Sequence, residues 1–167
     1  MNILIYRYGS ICEPDIIETF QKLGFQVDEE ISLIKNKNLS DSDCISIVSQ
    51  RILLKQYAFV FTINFFPWLS HLCNLTHLPY ISLIVDSPVL ELYDDAIQNP
   101  FNRIFIFDKA SYLEFYEKNP DCIFHLPLAA SVTRTDKLFD TTAADRKMKF
   151  QSDIWFIVST YQDNCAV

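Results

Sequence analysis

Four short polar clusters carry side chains that could do chemistry, and each directly follows a run of apolar residues. They are Tyr8-Gly9-Ser10, Asn64, Asp86-Ser87-Pro88 and Asp108-Lys109. Asp86 could act as a general base toward a hydroxyl group that lies within hydrogen-bond reach. Asp, Ser and Pro also favour turns, so Asp86 could instead cap the turn that follows, and the two roles are compatible.

Two of the other clusters carry binding groups, each with a simpler structural alternative. The backbone amides of the turn at Tyr8-Gly9-Ser10 could hold an anionic or hydroxyl-rich ligand, or Gly9 could serve only the tight turn. Asn64 and the rings of Phe65 and Phe66 could bind a sugar by hydrogen bonding and stacking. Alternatively, the two rings belong to the core and Asn64 caps a helix.

The remaining polar candidates are Asp108, Lys109 and His125. Asp108 and Lys109 could face a ligand, or Asp108 could cap the helix that follows it. His125 could reach the same edge, or it could be a partly buried, hydrogen-bonded side chain. The histidines His71, His77 and His125 share no metal-ligand spacing, so we expect no metal site.

The apolar runs that precede the clusters predict a parallel β-sheet, because continuous Val, Ile and Phe runs are typical of strands buried on both faces. They lie at residues 3–6, 59–63, 81–85 and 104–107. Further strands are expected at residues 25–27, 122–126 and 154–158. The predicted fold class is α/β, a Rossmann-like, doubly wound parallel sheet with helices on both faces. Ligands bind at the carboxyl ends of such strands, so the polar clusters should share one edge.

Helix starts are predicted from proline and from capping residues. Pro14 and Pro67 suit the first position of a helix, and Ser40 with Asp43 is a plausible helix start. Asp108 can begin a further helix in the same way.

Three stretches between these elements lack a clear apolar period. Residues 34–38 are polar and predict a loop. Residues 86–102 are expected to form a long, functional loop with one helical turn near residues 89–93. Residues 133–149 are charged and are expected to be an exposed connection with some helical character.

The composition limits the class of protein. The 167 residues are 50% hydrophobic, which suits a globular domain with a substantial core. Only 2 residues are glycine, so the chain has no glycine-rich phosphate loop. The formal net charge of -7, without a basic cluster, argues against a nucleic-acid partner. No apolar run approaches the roughly 20 residues that a membrane helix needs.

The cysteines indicate the compartment. There are 5, an odd number, they are widely spaced and none forms a C-x-x-C pair. With no signal peptide in the sequence, this pattern predicts reduced thiols in a cytoplasmic protein.

Five motifs together suggest a family. They are Tyr6-Arg7-Tyr8-Gly9-Ser10, Asn64-Phe65-Phe66-Pro67, Asp86-Ser87-Pro88, Phe105-Ile106-Phe107-Asp108-Lys109 and His125-Leu126-Pro127-Leu128-Ala129. In their order and spacing, from Met1 to about Tyr161, they resemble the N-terminal half of bacterial glycosyltransferases related to spore maturation proteins. The resemblance implies one half of a GT-B architecture. Val158 stands where similar proteins have glycine at the end of a strand that leads into the second domain.

The resemblance also implies a function. The chain would be the acceptor-side domain of an enzyme that transfers a sugar from a nucleotide-sugar donor to a hydroxyl of a glycan, a protein or a small molecule. Asp86 would be the catalytic residue, and the other clusters would line the acceptor side of a cleft. The donor would bind in a second domain, which we expect to be missing, so this chain would carry no cofactor and be inactive alone. The alternative is a stand-alone Rossmann-like module that binds a small ligand or a protein without catalysis.

The domain organisation follows from the same interpretation. Residues 1–132 are expected to form the acceptor-side domain, and residues 133–167 a connection and a final strand. A face prepared for a second domain would be apolar and exposed, so we expect the isolated chain to self-associate or to be poorly soluble.

Overall fold

The computed structural model describes residues 1–130 and 132–149 of the chain. Six strands of this part form one sheet, and all of its neighbouring strands are parallel. The strands are β1 (Asn2–Tyr6), β2 (Gln26–Glu30), β3 (Val60–Ile63), β4 (Tyr80–Ile84), β5 (Asn102–Ile106) and β6 (Ile123–His125). Their order in the sheet is β2-β1-β3-β4-β5-β6. The predicted α/β class with a Rossmann-like parallel sheet is confirmed.

Helices connect the strands and cover the sheet. They are α1 (Glu13–Lys22), α2 (Ser32–Lys35), α3 (Asp41–Leu54), α4 (Pro67–Leu75) and α5 (Lys109–Phe115). Three short 3-10 turns are added at Leu90–Tyr93, Asp95–Gln98 and Tyr116–Lys118. Parallel strands require such crossovers, because a tight hairpin can join only antiparallel neighbours.

Both faces of the sheet are buried, as the alternation along β1 shows. Tyr6 packs with Val48 of α3 and Leu69 of α4 in one apolar cluster. Ile5, its neighbour in the strand, points the other way and packs with Ile17 of α1 in a second cluster. Successive side chains of a strand point to opposite faces, so a strand between two helical layers must be apolar throughout.

The helix starts follow the predicted residues. Pro14 occupies the first turn of α1 and Pro67 that of α4. Ser40 and Asp43 form a reciprocal capping box at α3. Asp108 caps α5 by accepting a hydrogen bond from the backbone N–H of Ser111 at 2.7 Å.

Two connections are more ordered than the sequence predicts. The expected loop at residues 34–38 begins inside α2, because the Glu30 carboxylate accepts a 2.8 Å bond from the backbone N–H of Ser32 and starts a helical turn. In the long segment at residues 86–102, the expected turn forms at Leu90–Tyr93, and a second follows at Asp95–Gln98. The strand expected at residues 154–158 lies outside the described residues.

The chain divides into two units, Met1–Ala129 and a second that begins at Ala130. The described part of the second unit consists of helices α6 (Val132–Thr141) and α7 (Ala144–Lys149). Four cysteines, Cys12, Cys44, Cys73 and Cys122, are described and are free thiols. Within residues 1–130 and 132–149, no helix is both long and apolar enough to cross a membrane.

Candidate functional site

The order of the strands places a crevice between β1 and β3. From β1 the chain moves outward to β2, and it then returns past β1 to add β3, β4, β5 and β6 on the other side. The loops that leave the carboxyl ends of β1 and β3 therefore diverge. In open α/β sheets this switch point is where ligands bind.

An open cavity of about 330 Å³ lies at this switch point. It is lined by Tyr8, Asn64, Phe65, Phe66, Asp86, Pro88, Val89 and Glu91. Six of these residues, those at positions 8, 64, 65, 66, 86 and 88, are among the candidates predicted from the sequence. The loops after β1, β3 and β4 thus meet at one edge.

Asn64 organises the cavity through its side chain. Its Nδ2 donates to Asp86 Oδ2 at 2.6 Å and to the Tyr8 hydroxyl at 3.1 Å. Its Oδ1 accepts the backbone N–H of Val85 at 3.1 Å. The backbone of Asn64 is in the left-handed region, with φ 55°, which asparagine tolerates better than most residues. The side chain joins the three loops and is not a helix cap, since α4 begins after Phe66.

Buried hydroxyl groups hold the Asn64 backbone from below. Thr62 Oγ1 donates to the Asn64 carbonyl at 2.6 Å, and Ser82 Oγ donates to it at 3.1 Å. The Tyr80 hydroxyl lies 2.7 Å from Thr62 Oγ1 and accepts the backbone N–H of Phe66 at 3.0 Å. Burial raises the pKa of Tyr80, so this phenol stays protonated. The strained position is therefore fixed by a satisfied polar network.

The cavity has acidic and aromatic walls. Asp86 and Glu91 are both exposed, so each can face a ligand in water. The Phe66 ring meets the Tyr8 ring edge to face, with centroids 5.6 Å apart. None of the described residues that line this cavity is Lys, Arg or His. The walls therefore suit a neutral or cationic ligand with hydroxyl groups and an apolar face, and they disfavour phosphate.

Tyr8 is a hydrogen-bonding group in this cavity. Burial raises the pKa of its phenol, and the nearby charges of Asp86 and Glu13 raise it further, against the hydrogen bonds from Ser10 and Asn64. The phenol is therefore protonated at neutral pH. Because its oxygen accepts from Asn64, its own proton remains available as a donor.

The turn after β1 is occupied by the chain itself. Both Tyr8 N–H and Gly9 N–H donate to Glu13 Oε1, at 2.9 and 3.0 Å. These are the amides that the sequence suggests for an anionic ligand. In this structure the carboxylate of α1 holds them.

The other predicted residues do not line the cavity. Asp108 caps α5, and hydrogen bonds from Ser111 lower the pKa of its carboxyl group. His125 is exposed and its Nε2 lies 3.2 Å from the Phe107 carbonyl oxygen. Ser10 and Ser87 lie in the loops after β1 and β4, and Lys109 is the first residue of α5, but none of the three is among the described residues that line the cavity. No metal-binding group of three or more His, Cys, Asp or Glu residues occurs in the described residues.

Sequence reasoning missed Glu13, Val89 and Glu91. Glu13 is visible in the sequence only as a helix start, and nothing local shows that its carboxylate turns back onto the preceding turn. Val89 and Glu91 lie in the segment predicted as a functional loop, yet that segment has no period from which the inward side chains could be read.

The chain was also compared with known proteins. No protein-family model, no curated protein and no solved structure matches it. The resemblance to glycosyltransferases therefore stays a prediction.

Proposed function

We propose that this domain binds a neutral, hydroxyl-rich ligand such as a sugar in the switch-point cavity, as the acceptor-side half of a glycosyltransferase. The observation that carries the proposal is the linked array of Tyr8, Asn64 and Asp86, set beside the ring of Phe66. It combines hydrogen-bond acceptors, a donor and an apolar wall in one open cavity.

The chemistry of the walls fits a sugar. Hydroxyl groups donate to carboxylates in charge-assisted hydrogen bonds, which are stronger than neutral ones. Asn64 donates to Asp86 Oδ2, and no hydrogen bond within the described part of the chain uses the other carboxylate oxygen, which can therefore accept from a ligand. The volume of about 330 Å³ falls at the lower end of the roughly 300–1,000 Å³ typical of small-molecule sites. A monosaccharide or a terminal sugar residue is therefore the size of ligand we expect.

In the transfer reaction, Asp86 would act as general base. It would accept the proton of the acceptor hydroxyl while the hydroxyl oxygen forms a bond to the anomeric carbon of the donor. The bond from that carbon to the nucleotide diphosphate breaks, and the diphosphate leaves with the electron pair. Positive groups must stabilise that leaving charge, and the resemblance assigns them to a second domain.

A binding module without catalysis is the second candidate. It is favoured by the lack of a cationic side chain among those residues of the described part of the chain that line the cavity. The two candidates share the sugar site and differ in whether a donor is consumed. Release of a nucleoside diphosphate from a nucleotide sugar in the presence of a bound acceptor would separate them.

Binding is the first test. The chain is titrated with a panel of neutral mono- and disaccharides, and binding is followed by ligand-observed NMR and calorimetry. We expect saturable binding that Asp86→Asn weakens about 10-fold, the value of one charge-assisted hydrogen bond. Asp121→Asn, which changes an exposed carboxylate before β6, is the matched control and should bind as the wild type does. Equal binding by Asp86→Asn and wild type, or no binding by any sugar, would contradict the proposal.

A further inference from the structure

The carboxylate of Glu13 is the most enclosed charged group at the carboxyl edge of the sheet. Its side chain is 1% exposed. Oε1 accepts both Tyr8 N–H and Gly9 N–H, and Oε2 accepts Arg7 Nε at 2.9 Å. Three donors from three consecutive residues thus converge on one carboxylate.

These donors have the geometry of an anion-binding turn. Two successive amides point to the same position, and Gly9, which supplies the second of them, has a positive φ of 101°. The position lies at the start of α1, a helix of 10 residues, and the guanidinium group of Arg7 adds a full positive charge. Backbone amides, a helix start and a cation are the groups that hold phosphate after the first strand of nucleotide-binding folds.

Arg7 remains charged in this position. Burial opposes the charge, but hydrogen bonds to Glu13 and Glu29 outweigh it and raise the pKa of Arg7. Arg7 also forms an ion pair with Glu29 at the end of β2, so a second carboxylate holds the guanidinium from the other side. The cationic part of the turn is therefore in place whether or not Glu13 is present.

We propose that Glu13 determines ligand class by filling this anion position with a carboxylate of the chain itself. A phosphate or carboxylate that approached the turn would have to displace the buried Glu13 carboxylate, which already accepts three hydrogen bonds. It would also be repelled by the negative charge of that carboxylate. The turn after β1 therefore does not bind nucleotides or other phosphorylated ligands.

A filled turn limits the ligand of the switch-point cavity to molecules without phosphate at this position, and in this respect the inference rests on the proposed function. Tyr8 connects the two positions, because its backbone N–H bonds Glu13 while its hydroxyl accepts from Asn64. An uncharged ligand can occupy the cavity beside the filled turn. A nucleotide sugar would have to place its phosphates elsewhere.

The experiment removes the Glu13 carboxylate by substitution and adds acetate or inorganic phosphate to the solution. In Glu13→Ala the deleted group has the size of acetate, so acetate should re-enter the vacated position. Thermal unfolding is measured in rising acetate or inorganic phosphate, with chloride at matched ionic strength as the reference. Glu18→Ala is the matched control, because it removes an exposed carboxylate from the same helix.

We expect Glu13→Ala to melt at a lower temperature than the wild type and to regain part of the loss in acetate, saturably, because a ligand that binds only the folded state stabilises it by mass action. Wild type and Glu18→Ala should respond to acetate as they do to chloride. An acetate response of Glu13→Ala no larger than that of Glu18→Ala would overturn the proposal.

A second measurement decides the matter even if Glu13→Ala does not fold. The wild type is titrated with inorganic phosphate while the amide resonances of Tyr8 and Gly9 are followed by NMR. Unmoved resonances support a filled turn, and saturable shifts of both would overturn it. Neither measurement involves a sugar, so a failure here is distinct from a failure of sugar binding at Asp86.

Discussion

Glu13 and Asp86 are two carboxylates at the same edge of one sheet, and they differ in burial and in the hydrogen bonds that they accept. Glu13, after β1, is 1% exposed and accepts three hydrogen bonds from the preceding turn. Asp86, after β4, is exposed and accepts the Asn64 amide. A carboxylate whose lone pairs are used within the chain contributes to the fold, and one with free lone pairs can serve a ligand.

The comparison predicts the largest loss of stability at Glu13. Removing this buried side chain takes the acceptor from the Tyr8 and Gly9 amides and leaves Arg7 with one carboxylate partner, so Glu13→Ala should lower the free energy of unfolding by about 3 kcal/mol. Urea unfolding at neutral pH measures the change. Glu18→Ala should stay within about 0.5 kcal/mol of wild type. If the two variants are equally stable, Glu13 is not a structural group and the contrast with Asp86 fails.

The next largest effect is expected at Asn64, which links the two regions through Tyr8 and Asp86. Asn64→Ala loses the bonds of the side chain and places alanine at φ 55°, and should cost about 2 kcal/mol. Asn64→Gly loses the same bonds without the backbone strain. We therefore expect glycine to be about 1 kcal/mol more stable than alanine at this position. Urea unfolding of both variants separates strain from hydrogen bonding, and glycine no better than alanine would show that strain is minor.

The sequence predicts the strands and loops that carry this site better than it predicts the hydrogen bonds between the side chains of the site. Apolar runs and capping residues are local signals, so the strands, the start of α5 at Asp108 and the edge that carries Asn64 and Asp86 follow from residue type and order. The bond from Asn64 to Asp86 depends on the register of two strands, in which Ile63 pairs with Leu83. Register of this kind is a property of the assembled sheet, and no sequence pattern near Asn64 or Asp86 predicts it.

The hydrogen bonds of Glu13 are also beyond what the local sequence predicts. Its sequence context, an acidic residue before Pro14, indicates a helix start and nothing more. The return of its carboxylate to the turn before it depends on how α1 packs on the sheet. Sequence reasoning therefore offers the amides of Tyr8 and Gly9 to a ligand, while the fold gives them to Glu13.

A third carboxylate, Glu30 at the end of β2, extends the comparison to pH. Burial alone would raise its pKa, but hydrogen bonds from Ser32 and the charge of Arg51 outweigh burial and lower the pKa below its ordinary 4.5. A lowered folded pKa gives stability that is present above pH 4.5 and is lost as pH falls through the folded value. Glu30→Gln should cost about 1.5 kcal/mol at pH 7 and flatten the acid limb of stability.

The check is urea unfolding of wild type and Glu30→Gln at several pH values from neutral down to below 4. Wild type should lose its advantage over the variant as the pH falls. Parallel curves for the two proteins would mean that Glu30 does not gain from its partners in the folded state.

The smallest effects should arise at the exposed walls of the cavity, where the comparison between Asp86 and Glu91 is sharpest. Asp86→Asn keeps an acceptor for the Asn64 amide, so its stability should remain within about 0.5 kcal/mol of wild type although it loses sugar affinity. Glu91→Gln should be equally stable and should weaken sugar binding only a few-fold, because within residues 1–130 and 132–149 no side chain of another loop bonds Glu91 as Asn64 bonds Asp86. Ordering two groups at binding costs free energy that a pre-positioned carboxylate avoids. Calorimetry of the two variants with the same sugar ranks them, and a larger loss at Glu91 would move the centre of the site to the 3-10 turn at Leu90–Tyr93.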